Sequence, residues 1–110
     1  MAVALHIVAV RLRQAREQLG LSQKKLGMLA GIDEFSASAR MNQYERGKHL
    51  PDVYMVARLA KALSIPEPYF YCEDETLALI VLALKDVTES QQKSALDFIK
   101  ALHTPLTIES

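Results

Sequence analysis

Few residues in this 110-residue chain are equipped for chemistry. His6, His49 and His103 are scattered, with no H-x-x-x-H spacing and no acid or thiol cluster beside them, so no metal site is expected. Cys72 is the single cysteine, which excludes an intramolecular disulfide and any zinc site that needs two or more thiolates. It reads as a small core residue. No glycine-rich phosphate loop, Ser/His/Asp set or sheltered carboxylate pair stands out, so neither catalysis nor a cofactor is expected. Two polar, basic groups of residues remain. Ser22-Gln23-Lys24-Lys25 is one, and Ser38-Ala39-Arg40 with Asn42-Gln43 and Arg46-Gly47-Lys48 is the other. A carboxamide donates and accepts side by side, which matches the N6/N7 edge of adenine, and a guanidinium reaches guanine or a phosphate. A hydroxyl and free N–H groups at a helix start suit an anion. The ordinary alternative for all of them is a solvated helix face.

The charge distribution supports a polyanion over plain solvent. The formal net charge is zero. Residues 1–50 nevertheless carry eight Lys/Arg and four Asp/Glu, a balance of +4, and the remainder carries −4. Such an asymmetry points to an anion-facing first half, although a short chain reaches it by chance often enough that it is weak alone. The apolar start Met1–Val10 is followed, not preceded, by arginines, the wrong order for a signal peptide. The apolar run Leu77–Leu84 is far below the ~20 residues that span a bilayer. A cytoplasmic protein without a membrane partner is expected.

The elements that must position these groups read as helices throughout. Val8, Leu12, Ala15 and Leu19 recur at helical spacing, and Gly20 suits a left-handed cap. Ser22 caps a second helix over about Gln23–Ala30 with Leu26, Leu29 and Ala30 inside, and Gly27 permits a close helix approach. Ile32–Ser36 reads as a loop. A third helix over about Ala37–Arg46 turns Ala37, Met41 and Tyr44 inward and Ala39, Asn42 and Gln43 outward, with Ser38 and Arg40 on the flanks. Asp52 caps a fourth over about Val53–Leu63, its inner face Val53, Val56, Leu59, Ala60 and Leu63. Tyr69-Phe70-Tyr71 forms a short aromatic turn under the core. A helix over about Glu75–Lys85 is apolar nearly all round, with Leu77, Ile80, Val81 and Leu84 on one face. Thr88-x-x-Gln91 is a capping box opening a last helix, with Ala95, Leu96, Ile99 and Leu102 on one face. Thr104-Pro105 ends it, and Leu106–Ser110 is a tail. The expected fold is all-α: a five-helix unit over 1–72 and a C-terminal helical pair over 73–110.

Residues 12–63 carry an ordered set: Leu12-x-x-x-Arg16, Gly20-Leu-Ser-Gln23, Leu26-x-x-x-Ala30-Gly-Ile32, Tyr44-Glu-Arg-Gly47-Lys, Pro51 and Leu59-Ala-Lys-Ala-Leu63. This set resembles the phage-repressor-type helix-turn-helix family, the Cro-like or xenobiotic-response-element class of transcriptional regulators. Between Ile32 and Glu45 the chain is about four residues longer than the family pattern, and the surplus falls around Glu34–Ala37. A lengthened turn before the third helix is therefore expected. The resemblance implies a five-helix repressor-like DNA-binding domain whose third helix enters the major groove while the second lies across the backbone. It implies base contacts from Ser38, Ala39, Arg40, Asn42 and Gln43, phosphate contacts from Ser22, Gln23, Lys24, Arg46 and Lys48, and a structural ion pair between Arg16 and Glu45. It also implies a repressor on double-stranded DNA, binding as a homodimer to palindromic half-sites ~34 Å apart. The greasy C-terminal pair would be the dimerisation element. No small-molecule ligand is expected. Two other readings remain open: an antitoxin that also autoregulates, with a toxin bound to its acidic half, and a helical adaptor that keeps the fold without binding DNA.

Overall fold

The computed structural model describes residues 6–102. The N-terminal Met1–Leu5, His103, the expected helix end at Thr104-Pro105 and the tail from Leu106 lie outside the described residues. Six α-helices follow in order: α1 Ile7–Gln18, α2 Gln23–Leu29, α3 Glu34–Glu45, α4 Val53–Leu63, α5 Glu75–Ala83 and α6 Glu89–Leu102. A 3-10 turn, Glu67–Tyr71, lies between α4 and α5. No strand occurs among the described residues, and no helix there is long and apolar enough to cross a membrane.

Local signals set most helix ends. Gly20 closes α1 with φ +68°, a conformation in which a side chain would be strained. The Ser22 hydroxyl accepts the Lys25 N–H at 3.0 Å and starts α2. Asp52 accepts from Met55 N–H and starts α4. At α6 the Thr88 N–H donates to Gln91 Oε1 and the Gln91 N–H donates to Thr88 Oγ1, a reciprocal pair that satisfies both groups.

The start of α3 corrects the expected loop. Asp33 accepts from the N–H groups of Phe35 and Ser36 at 3.0 and 3.1 Å, and the helix begins at Glu34. The surplus residues do not lengthen the turn; they add a turn to the N-terminal end of α3. Four residues are close to one helical turn, so Ala37, Met41 and Tyr44 keep a common inner face.

The core lies between α1, α2, α3, α4 and the 3-10 turn, around Leu12, Leu26, Met41, Leu59, Leu63 and Phe70. Gly27 is the contact point of α2 on α3. A Cβ there would stand 2.9 Å from Ala37 Cβ, so only glycine lets the two helices meet this closely. Several expected inner positions lie outside instead. Leu19 and Leu29 are about half exposed, and Val53 is exposed while Met55 takes the inner place on α4. Tyr69 and Phe70 are buried, and Tyr71 is turned out. On α5 the inner side is Ala78, with Val81 and Leu82 packed on the core, while Leu77 and Ile80 are about half exposed. Helix α6 buries no side chain at all.

Candidate nucleic-acid interface

A polar knot orients α3 against α1 and α2. Arg16, on the last turn of α1, donates from Nε to Glu45 Oε2 at 2.6 Å and from its Nη2 to Glu45 Oε1 at 2.9 Å. Its third nitrogen donates to the Leu21 carbonyl at 2.8 Å. Glu45 is 3% exposed, so this carboxylate is taken almost wholly from water and answered by a two-pronged guanidinium. The hydrogen bond to Glu45 pushes the Arg16 pKa up, reinforcing its charged form. Gln23, first residue of α2, donates its amide to Glu45 Oε1 at 3.2 Å and to Asn42 Oδ1 at 3.4 Å. One knot thus ties the end of α1, the start of α2 and the last turns of α3.

A second tie holds the front of α3. Lys24 Nζ lies 3.4 Å from Glu34 Oε1, joining α2 to the added turn. It partly neutralises a lysine expected to face phosphate, and it exists because Glu34 is helical.

The outer side of the α2–α3 pair carries the remaining residues of interest. Ser38, Ala39 and Arg40 are exposed on α3. Asn42 and Gln43 are half-buried on its shoulders, less outward than their spacing suggests, and Asn42 Oδ1 is turned to Gln23. Arg46 and Lys48 are exposed just beyond α3, and Ser22 is exposed at the start of α2. Lys25, Arg40, Arg46 and Lys48 make no ion pair among the described residues. Beside α3, Arg40 and Gln43 share an open depression with His49 and Arg58 from the following loop and α4. Sequence reasoning did not gather these two residues into the site: His49 directly follows Lys48 but enters that reasoning as a candidate metal ligand, and Arg58 lies 15 residues beyond Gln43 and comes beside it only through the α3–α4 connection.

Arg11 departs from the charge reading. Counted with the basic first half, it is 1% exposed and out of reach of a polyanion. It donates to the carbonyls of Cys72 and Glu73, to Gln14 and to Glu75, and its guanidinium lies 5.8 Å from the Tyr69 ring centre. Each of its three nitrogens has a partner, so the buried charge latches α1 to the segment that launches α5. The signal was available: Arg11 shares the face of Val8, Leu12 and Ala15.

Two short helices joined by a tight turn, with a basic outer surface and carboxamides on the second, define a helix-turn-helix DNA-binding unit. The family model described as a helix-turn-helix domain matches residues 7–68. Among solved structures, the crystal structure of the transcriptional regulator BswR is similar: 46% identical, TM-score 0.77, over 84% of this chain and 92% of that one. No curated protein matches the chain. The chain belongs to the helix-turn-helix family of transcriptional regulators, and it is a DNA-binding regulator.

Proposed function

We propose that the protein is a repressor that binds a palindromic operator as a homodimer through residues 73–110, with residues 1–72 as the reader. The observation that carries the dimer is α6. It is 14 residues long and buries no side chain. Leu96, Phe98, Ile99 and Leu102 are each at least half exposed and share one face with Ala95. A lone helix of this length is marginal in water, and most helical stability comes from packing an apolar face. Leu77, Leu79 and Ile80 of α5 add to the uncovered surface, which is what an interface with a second copy requires. An open groove beside the end of α5 is lined by Leu19, Ile65, Leu82 and Val87 together with Gln18, Lys85 and Asp86.

In this reading α3 lies in the major groove. Arg40, Asn42 and Gln43, with Ser38 and Ala39 beside them, meet base edges, and Ser22, Gln23, Lys24, Arg46 and Lys48 meet phosphates. The Arg16–Glu45 pair holds the angle of α3. Two-fold half-sites follow from a two-fold dimer. Repression needs only occupancy of the operator, and the setting is the cytoplasm, where such an operator is reached.

Selection of duplexes from a random-sequence library by the full-length protein tests this reading. A two-fold consensus is expected, with affinity falling steeply as salt rises by a slope of about −0.9 per phosphate contact. A reporter under that consensus should be silenced when the protein is expressed. Failure to enrich any sequence, or a salt-independent affinity, overturns DNA recognition by this surface; an activated reporter overturns repression alone.

A further inference from the structure

We propose that Phe35 is a specificity-determining residue of the DNA-reading surface, its ring packing on thymine C5-methyl groups in the major groove. The inference rests on the DNA-binding reading above. Phe35 is 96% exposed, so folding makes almost no use of its ring. Aromatic side chains ordinarily bury 150–250 Å² each. The added turn of α3 is what puts it there: it is the second residue of the helix.

Its direction follows from helical geometry. Phe35, Ala39, Asn42 and Arg46 stand at i, i+4, i+7 and i+11, one stripe at 100° per residue. That stripe is opposite Ala37, Met41 and Tyr44, which face the core. Phe35 therefore continues, at the leading end of α3, the line of side chains that Asn42 and Arg46 occupy further back. The N-terminal residues of a recognition helix are those that approach base edges. The turn that carries the ring is anchored at both sides. The Phe35 N–H is held by Asp33 at 3.0 Å, and Glu34 is tied to Lys24.

The chemistry selects the contact. A phenyl ring offers no hydrogen bond, and the apolar feature of the major groove is the thymine methyl. Ala39, one turn behind on the same stripe, leaves room beside the ring. Along α3 its neighbours Glu34, Ser36, Ser38 and Ala39 are polar or small, so the helix sets no second large apolar side chain beside the ring. One ring on a stripe otherwise made of Ala39, Asn42 and Arg46 fits a groove methyl better than a protein partner.

The test is selection of duplexes from a random-sequence library with full-length wild type, Phe35→Ala and Phe35→Leu. The wild-type consensus should hold thymine at a fixed position that the Phe35→Ala consensus no longer prefers, the rest being kept, and Phe35→Leu should retain part of the preference. Replacing that thymine by deoxyuridine in the selected duplex removes only the methyl. It should weaken wild type about four-fold per methyl and leave Phe35→Ala unchanged. If wild type enriches no sequence, the DNA-binding reading fails and takes this one with it. If wild type enriches a consensus that Phe35→Ala shares, with an equal response to deoxyuridine, the Phe35 assignment alone is wrong. It is equally wrong if Phe35→Ala weakens all duplexes alike, or keeps the consensus and changes the oligomeric mass, which would make the ring a protein contact. Circular dichroism of the variants confirms that the fold is retained.

Discussion

Glu45 is a carboxylate without water, and its surroundings explain why it is tolerated. Arg16 supplies two N–H donors and Gln23 a third. Replacing Arg16 by methionine keeps much of the volume and strands the charge. Arg16→Met should cost about 3–5 kcal/mol in urea denaturation, since a buried carboxylate is left uncompensated; a loss within the range of surface substitutions would mean that Gln23 alone suffices. Gln43 carries a different kind of expectation, because the proposed reading assigns it to DNA and it takes no part in the knot. Gln43→Ala should cost about 1–3 kcal/mol on the selected operator and far less on random DNA, measured by fluorescence anisotropy. Equal losses on both would place Gln43 on the backbone.

At the scale of elements, α3 depends on how it begins and on what it leans against. Asp33 begins it. The Ser36 side chain, then the N–H groups of Ser36 and Phe35, hold the Asp33 carboxyl below the ordinary aspartate range by favouring its charged form. A carboxyl with a lowered folded pKa contributes stability that is complete above its unfolded value of about 3.9 and is lost as pH falls through the folded value. The amide resonances of Phe35 and Ser36 should therefore titrate with a midpoint below the ordinary aspartate value of about 3.9. Asp33→Asn should abolish that titration while keeping a cap. A midpoint at or above the ordinary value would show that the carboxylate does not cap α3. Gly27 is where α3 leans on α2. In an open helix Gly→Ala gains about 1 kcal/mol, whereas here the new methyl meets Ala37 Cβ at 2.9 Å and Ala37 Cα at 3.2 Å. Neither atom can swing aside, so α2 and α3 must separate. Gly27→Ala should be net destabilising by about 1–3 kcal/mol in thermal unfolding, and Ala37→Gly should relieve part of it.

The whole molecule is long for its size. It spans 59 × 40 × 22 Å with a radius of gyration of 17.1 Å, against about 13 Å for a compact chain of this length. The excess lies at the C-terminal end, where α5 packs on the core through Ala78, Val81 and Leu82 with its other side uncovered, and α6 buries no side chain. If a second copy covers them, Leu96→Asp or Ile99→Asp should convert a dimer to a monomer in sedimentation equilibrium, keep the helicity of the reader and weaken operator binding. A monomeric unmodified chain would reject this interface. Point substitutions are the cleaner probe, because cutting the chain after Cys72 would also remove two partners of the buried Arg11, the Glu73 carbonyl and Glu75.

Sequence alone determined the helical class, the order of helices and most of their ends, because caps and apolar spacing are local. Gly20, Ser22, Asp52 and the Thr88–Gln91 box act within a few residues of themselves, and each is read without knowing the fold. The start of α3 was also written locally, in the Asp33 cap, but a family pattern about four residues shorter favours a loop there instead. Tertiary structure decided the rest. Helix α5 is apolar on every side, so periodicity gives it no inward direction; packing chose the small Ala78 with Val81 and Leu82, and left the larger Leu77 and Ile80 outside. Spacing sets Arg11 on the inner face of α1, but it does not name the partners that answer its charge there, nor does it show that Gln23, Asn42, Arg16 and Glu45 form one knot. The hydrogen bonds between elements join residues 19 to 64 positions apart, and a bond of that span exists only once the helices between have packed.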